Sequence, residues 1–159
     1  MRILGIDPGF ERLGIAILEK DKNSKKEIVV FSECFKTSVK LEFSERLALI
    51  GAEVKRIIKK YKPEVLAIET LFLNTNQKTV MRVAEARGVV VYEAVQAGLK
   101  IFEATPLQIK IATTGYGRAD KTQVMKMLKI LVKTDKSKTS DDELDAIAIA
   151  LTAFAHKRQ

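Results

Sequence analysis

An α/β fold is predicted for these 159 residues: a five-stranded mixed sheet, made of a three-stranded antiparallel meander plus parallel strands, flanked by helices. Three observations predict it. Apolar residues alternate with others in three short runs before residue 37. The period then lengthens to that of a helix. Beyond that helix, a short apolar run has the composition of a strand buried on both faces.

The first strand covers residues 2–7, Arg2-Ile3-Leu4-Gly5-Ile6-Asp7, and a Pro8-Gly9 turn leads to a second alternating run from Leu13 through Glu19. The Lys-rich turn Asp21 to Lys26 separates it from a third run, Glu27 to Phe35. Phe43, Leu47, Ile50, Val54, Ile57 and Tyr61 then recur at helical spacing, marking one face of an amphipathic helix that must stop before Pro63. Val65 to Glu69 is the short apolar run, expected to lie parallel to the first strand. From about Gln77 to Gln96 the chain reads as a helix rich in Ala and Val, suited to packing on the sheet or to a self-complementary contact with a second copy. Lys100 to Glu103 reads as the fifth strand, followed by helices at Pro106 to Ala112 and Lys121 to Lys133. In the last helix, Ser140 and Glu143 have the spacing of a capping box, which puts Asp142 in the first turn and Asp145 one turn further on.

This length suits one domain spanning 1–159, with a core large enough to need no disulfide. No apolar run approaches the roughly 18 residues of a membrane span, and no signal-peptide pattern opens the chain, so a cytoplasmic protein is expected. Cys34, the only cysteine, lies in an apolar run and reads as a small core residue. The net charge is +8, and between Pro106 and Lys138 eight basic residues face two acids. Such a segment is either a solvated helix face or a nucleic-acid contact.

Four acids favour the second reading. Asp7 and Glu69 each end an apolar strand, while Asp142 and Asp145 open an apolar helix. Ligands in open α/β sheets bind beyond the carboxyl ends of the strands, so Asp7 and Glu69 emerge side by side if their strands are adjacent and parallel. A terminal helix across that edge adds the other two. Carboxylates about 4 Å apart repel by roughly 4 kcal/mol at an effective dielectric of about 20, so such a group must take up protons or bind metal. Two hard divalent cations with oxygen ligands suit the site, and their chemistry is phosphodiester hydrolysis. The plain alternative for Asp142, as for Asp141 and Glu143, is complementing the helix dipole. Asp145 precedes a wholly apolar run in which an unpaired charge is costly.

With these residues in place, the chain resembles the RuvC-type Holliday junction resolvases, crossover junction endodeoxyribonucleases of the ribonuclease H-like superfamily. The resemblance spans essentially the whole length. It rests on Gly5-Ile6-Asp7-Pro8-Gly9, Ala67-Ile68-Glu69 with Phe72 soon after, Ala86-Arg87-Gly88, the run from Lys110 through Gly115-Tyr116-Gly117 to Lys121, and Asp142-Glu143-Leu144-Asp145-Ala146. It implies a ribonuclease H-like fold and a homodimer dependent on Mg²⁺, or Mn²⁺ in its place, with two ions per active site. Such an enzyme makes paired symmetric nicks in two opposing strands of a four-way DNA junction, leaving 5′-phosphate ends, in recombination and repair. The resemblance assigns Asp7, Glu69, Asp142 and Asp145 to the metal, and Lys110 and Lys121 to the scissile phosphate. Phe72 matches an aromatic that stacks on opened bases, although core packing is an equally simple reading of it. Arg118 joins Phe72, Lys110 and Lys121 in the expected DNA-contacting set. The family also works with the branch-migration proteins RuvA and RuvB.

Three rivals remain at this level. A ribonuclease H-like nuclease acting on RNA or an RNA–DNA hybrid would use the same acids. A non-catalytic junction-binding protein would use the same basic segment. An actin-like ATPase or sugar kinase shares a loop resembling Gly5-Ile6-Asp7-Pro8-Gly9, but needs a second such domain, for which 159 residues leave no room.

Overall fold

The computed structural model describes residues 1–21, 26–71, 77–133 and 139–156. Five strands, β1 (Arg2–Asp7), β2 (Arg12–Lys20), β3 (Glu27–Lys36), β4 (Val65–Glu69) and β5 (Lys100–Ala104), form one sheet in the order β3-β2-β1-β4-β5. The β1–β2 and β2–β3 pairs are antiparallel, and β4 runs parallel to both β1 and β5. The expected meander and parallel pair are therefore both present. Helices α1 (Phe43–Tyr61), α2 (Gln77–Gln96), α3 (Pro106–Thr114), α4 (Lys121–Leu131) and α5 (Asp141–His156) cover the sheet.

Period-two alternation assigns each strand residue to a face. Leu4, Ile6, Ile15, Ile17, Leu66 and Ile68 pack with Ile50, Val54 and Ile57 of α1 and Ala86, Val90 and Ala94 of α2. On the other face, Ile3, Ala16, Leu18, Val65 and Ala67 pack with α4 and α5. Asp7 and Glu69 continue the second set, and so point toward α5.

That second face is built of small residues. A Cβ on Gly5 would overlap the Ala146 carbonyl oxygen, and one on Gly14 would overlap the Asp142 carbonyl oxygen while lying 3.0 Å from the Asp7 Cβ. The α5 backbone thus rests directly on the sheet. Its first turn sits over Gly14, the residue that pairs with Asp7 across β1 and β2. Ala146 and Ala150 are the residues that meet Gly5, so no bulky side chain holds the helix away at this contact.

Two expected helix ends differ. α3 continues past Ala112 to Thr114 and stops at Gly115, whose φ of 73° admits the left-handed turn that closes it. α4 stops at Leu131 instead of Lys133, because Val132 becomes extended and the Lys133 carbonyl accepts from the Val29 amide at 2.9 Å. The sheet edge captures a backbone that helical periodicity would have continued. Among the described residues, no helix is long and apolar enough to cross a membrane.

Candidate active site

Asp7 and Glu69 each stand one residue beyond the paired Ile6 and Ile68, at the carboxyl ends of adjacent parallel strands. They line a cleft of about 300 Å³ together with Lys110 of α3, Lys121 of α4 and Asp145 of α5. Pro106, Ile109, Val124, Ala148 and Ile149 supply its apolar wall. Residues far apart in sequence meet because β1, β4, α3, α4 and α5 all present an end or a turn here.

The local structure holds each group in place. The Pro8-Gly9-Phe10 turn after Asp7 is anchored by Thr37, whose hydroxyl donates to the Phe10 carbonyl at 2.5 Å. Buried Arg46 in turn donates to that hydroxyl at 2.8 Å and lies over the Phe10 ring. Arg87 of α2 donates to the Glu69 carbonyl at 3.1 Å and pairs with Glu103 of β5 at 2.9 Å, tying the end of β4 to its neighbours. Thr105 caps α3, with Pro106 at its first position, and this sets the turn carrying Lys110. Asp120 caps α4 and makes Lys121 its first residue, where a cation opposes the helix dipole. The partner that offsets this is Asp145, 2.9 Å from the Lys121 ammonium.

The predicted capping box at α5 is present. The Ser140 amide donates to Glu143 at 2.8 Å, and the Glu143 amide donates back to the Ser140 hydroxyl at 3.4 Å. Glu143 does more than complement the dipole, since it is buried and accepts from Ser32 of β3 at 3.0 Å. Asp141 stays exposed, 3.8 Å from Lys121.

Electrostatics mark Asp7 as the centre. Burial first, then the charges of Asp145, Glu69 and Asp142, push its carboxyl up from 3.8 to about 7, with Lys121 pulling weakly the other way. Burial and Asp145 also raise Glu69. Asp142 behaves oppositely. Hydrogen bonds from Arg12 hold its carboxyl below the usual range, with a smaller contribution from Cys34.

Asp142 is thus close enough to act on Asp7, yet it does not line the cleft. Its Oδ2 accepts from Arg12 Nε at 2.9 Å and Arg12 Nη2 at 2.5 Å, while Cys34 Sγ lies 3.5 Å away. Cys34 is accordingly half-buried beside an acid and not a core residue, because its strand position faces the first turn of α5. As placed, no three acidic, histidine or cysteine side chains among the described residues enclose a point where an ion would sit. Arg12 holds Asp142 and Lys121 holds Asp145, so cations of the chain itself neutralise two of the four. Hard oxygen donors, a carboxyl that burial and then its acidic neighbours raise to about 7, and a water-accessible cleft fit a divalent cation.

Arg118 is exposed in the turn between α3 and α4. Phe72 lies outside the described residues. Sequence reasoning missed Arg12, which no spacing marked, and the clamp made by Arg87, whose Ala86-Arg87-Gly88 setting was the available signal.

The family model described as Crossover junction endodeoxyribonuclease RuvC matches residues 3–153. A protein of that name from Caldanaerobacter subterraneus subsp. tengcongensis is 44% identical, over 95% of this chain and 90% of its own. Another from Halothermothrix orenii is 45% identical, over 95% of this chain and 90% of its own. Among solved structures, Thermus thermophilus RuvC in complex with Holliday junction substrate matches with a TM-score of 0.91 and 31% identity, covering 99% of this chain and 95% of that one.

Proposed function

Because the chain belongs to the RuvC family of crossover junction endodeoxyribonucleases, we propose that the cleft between Asp7, Glu69 and Asp145 is where it cuts. The protein is a metal-dependent endonuclease that resolves Holliday junctions by nicking opposing strands. The observation that supports this placement is the convergence of three carboxylates and two lysines from five separate elements on one cleft.

Asp7, Glu69 and Asp145, joined by Asp142, would hold Mg²⁺, with Mn²⁺ able to replace it and two ions filling the site. The cation would supply activation of the attacking water and stabilisation of charge on the leaving 3′ oxygen. Hydrolysis forms a bond from water oxygen to phosphorus and breaks the P–O3′ bond, leaving a 5′-phosphate and a 3′-hydroxyl. Lys110 presents its ammonium to the scissile phosphate and favours the charge that develops on it. Lys121 orients Asp145 through their ion pair. The apolar wall of Ile109, Val124 and Ile149 lowers the local dielectric and strengthens these interactions.

Two opposing cuts call for two sites related by a two-fold axis, which a homodimer provides. The exposed face of α2, carrying Met81, Gly88, Tyr92 and Val95, supports a self-complementary contact. Cooperation with RuvA and RuvB, and a cytoplasmic location, belong to the same proposal and rest on family membership alone.

The test is to offer purified protein a four-way junction, a linear duplex and an RNA–DNA hybrid, each with and without Mg²⁺. Paired nicks in the junction that require the ion are expected. Preferential cutting of the hybrid would end the resolvase reading.

A further inference from the structure

Arg12 stands at the start of β2, where no part of the proposed chemistry uses it, yet it makes the closest approach to an acid of the site. Both Nε and Nη2 donate to the same Asp142 oxygen, at 2.9 and 2.5 Å, and Cys34 Sγ is 3.5 Å from that oxygen. An oxygen engaged by these donors is poorly placed to ligate a cation as well. Asp142 is accordingly the one acid of the four that does not line the cleft.

The opposing surfaces make this arrangement reversible. Gly14 leaves no Cβ between the first turn of α5 and Asp7, so the Asp142 backbone already sits against the site. Only its side chain is turned away. Arg12 is half exposed, with 49% of its side-chain surface in water against 21% for Asp142, so water can solvate its guanidinium once it leaves Asp142.

Resting on the reading that Asp142 is a metal-binding acid, we infer that Arg12 is a positioning residue that competes with the cation for Asp142. The latch keeps one acid out of the cleft until a divalent ion displaces the guanidinium. The metal site is therefore completed on loading and is not fully preformed, and its affinity is set partly by Arg12. Exposed ion pairs are worth little, so the competition is mild: it weakens cation binding by roughly two- to fivefold.

A double-mutant cycle with Mn²⁺ as the probe and no DNA present tests this, reading free Mn²⁺ by its paramagnetic resonance signal. The proteins are wild type, Arg12→Gln, Asp142→Asn and the double variant, each checked for its fold by circular dichroism. Arg12→Gln should tighten Mn²⁺ binding by roughly two- to fivefold, the converse of that competition. Asp142→Asn should weaken binding, and the double variant should match Asp142→Asn alone. If the gain from Arg12→Gln persists in the Asp142→Asn background, it is a general effect of removing a positive charge and the latch is overturned. An unchanged affinity in Arg12→Gln, with Asp142→Asn still weakened, also overturns the latch but leaves the metal reading standing. Wild-type Mn²⁺ binding by Asp142→Asn removes Asp142 from the ligand set, and the latch with it.

Discussion

Replacing Asp7 with asparagine separates the electrostatics of the cleft from its chemistry. A carboxyl raised from 3.8 to about 7 is about 4 kcal/mol less favourable as an anion in the folded chain than in the unfolded one. Between those two values the folded state binds more protons than the unfolded state. The stability carried by protonated Asp7 is therefore complete below about pH 4, declines as pH rises, and is gone above about pH 7. Asparagine has nearly the same shape and no charge to lose. In a chelator, the variant and wild type should differ near pH 4 by no more than about 1 kcal/mol, the worth of one altered hydrogen bond. At pH 8 the variant should be more stable by about 2–4 kcal/mol, the upper end being the full ionisation cost. Urea denaturation at pH 4, 6 and 8 measures this difference directly. Adding Mg²⁺ at a hundred times its dissociation constant should stabilise wild type by about 2.7 kcal/mol at pH 8, and the variant by much less. A stability difference that stays constant from pH 4 to 8 would show that Asp7 does not sit in the field described, and the reasoning would fail.

Other substitutions probe the framework and the lysines. Gly14→Ala places a methyl group against the Asp142 carbonyl, and should cost about 1–3 kcal/mol in thermal unfolding while lowering cleavage. Unchanged stability would mean that α5 does not rest on the sheet there. Lys110→Ala and Lys121→Ala should reduce junction cleavage more than junction binding. Weaker binding with a flatter salt dependence, and no separate loss of rate, would make either lysine an ordinary phosphate contact. Arg87→Ala removes the hydrogen bond to the Glu69 carbonyl, so kcat should fall while KM stays nearly constant. A rise in KM alone would place Arg87 on the DNA instead.

Much of this protein follows from local pattern. Local pattern placed β1 through β5 within one or two residues of their observed bounds: alternation marked the first three, since the two faces of a sheet impose period two, and a continuous apolar run marked β4. The strand-ending positions of Asp7 and Glu69, the stop before Pro63 and the Ser140–Glu143 capping box were legible for the same reason: each depends on neighbours within a few residues. The end of α4 was not, because Lys133 is taken by Val29 of a distant strand.

The amino-acid order by itself determined which acids stand at element ends; the β1–β4 pairing and the seat of α5 are what gather their carboxylates at one sheet edge. Only the tertiary structure decided how they share that edge. Asp7 is raised, Asp145 is held by Lys121, and Asp142 is drawn onto an arginine 130 positions away. Those outcomes turn on how closely α5 approaches Gly5 and Gly14. Charge interactions vary steeply with separation and burial, and both are set by the packing of elements remote in sequence.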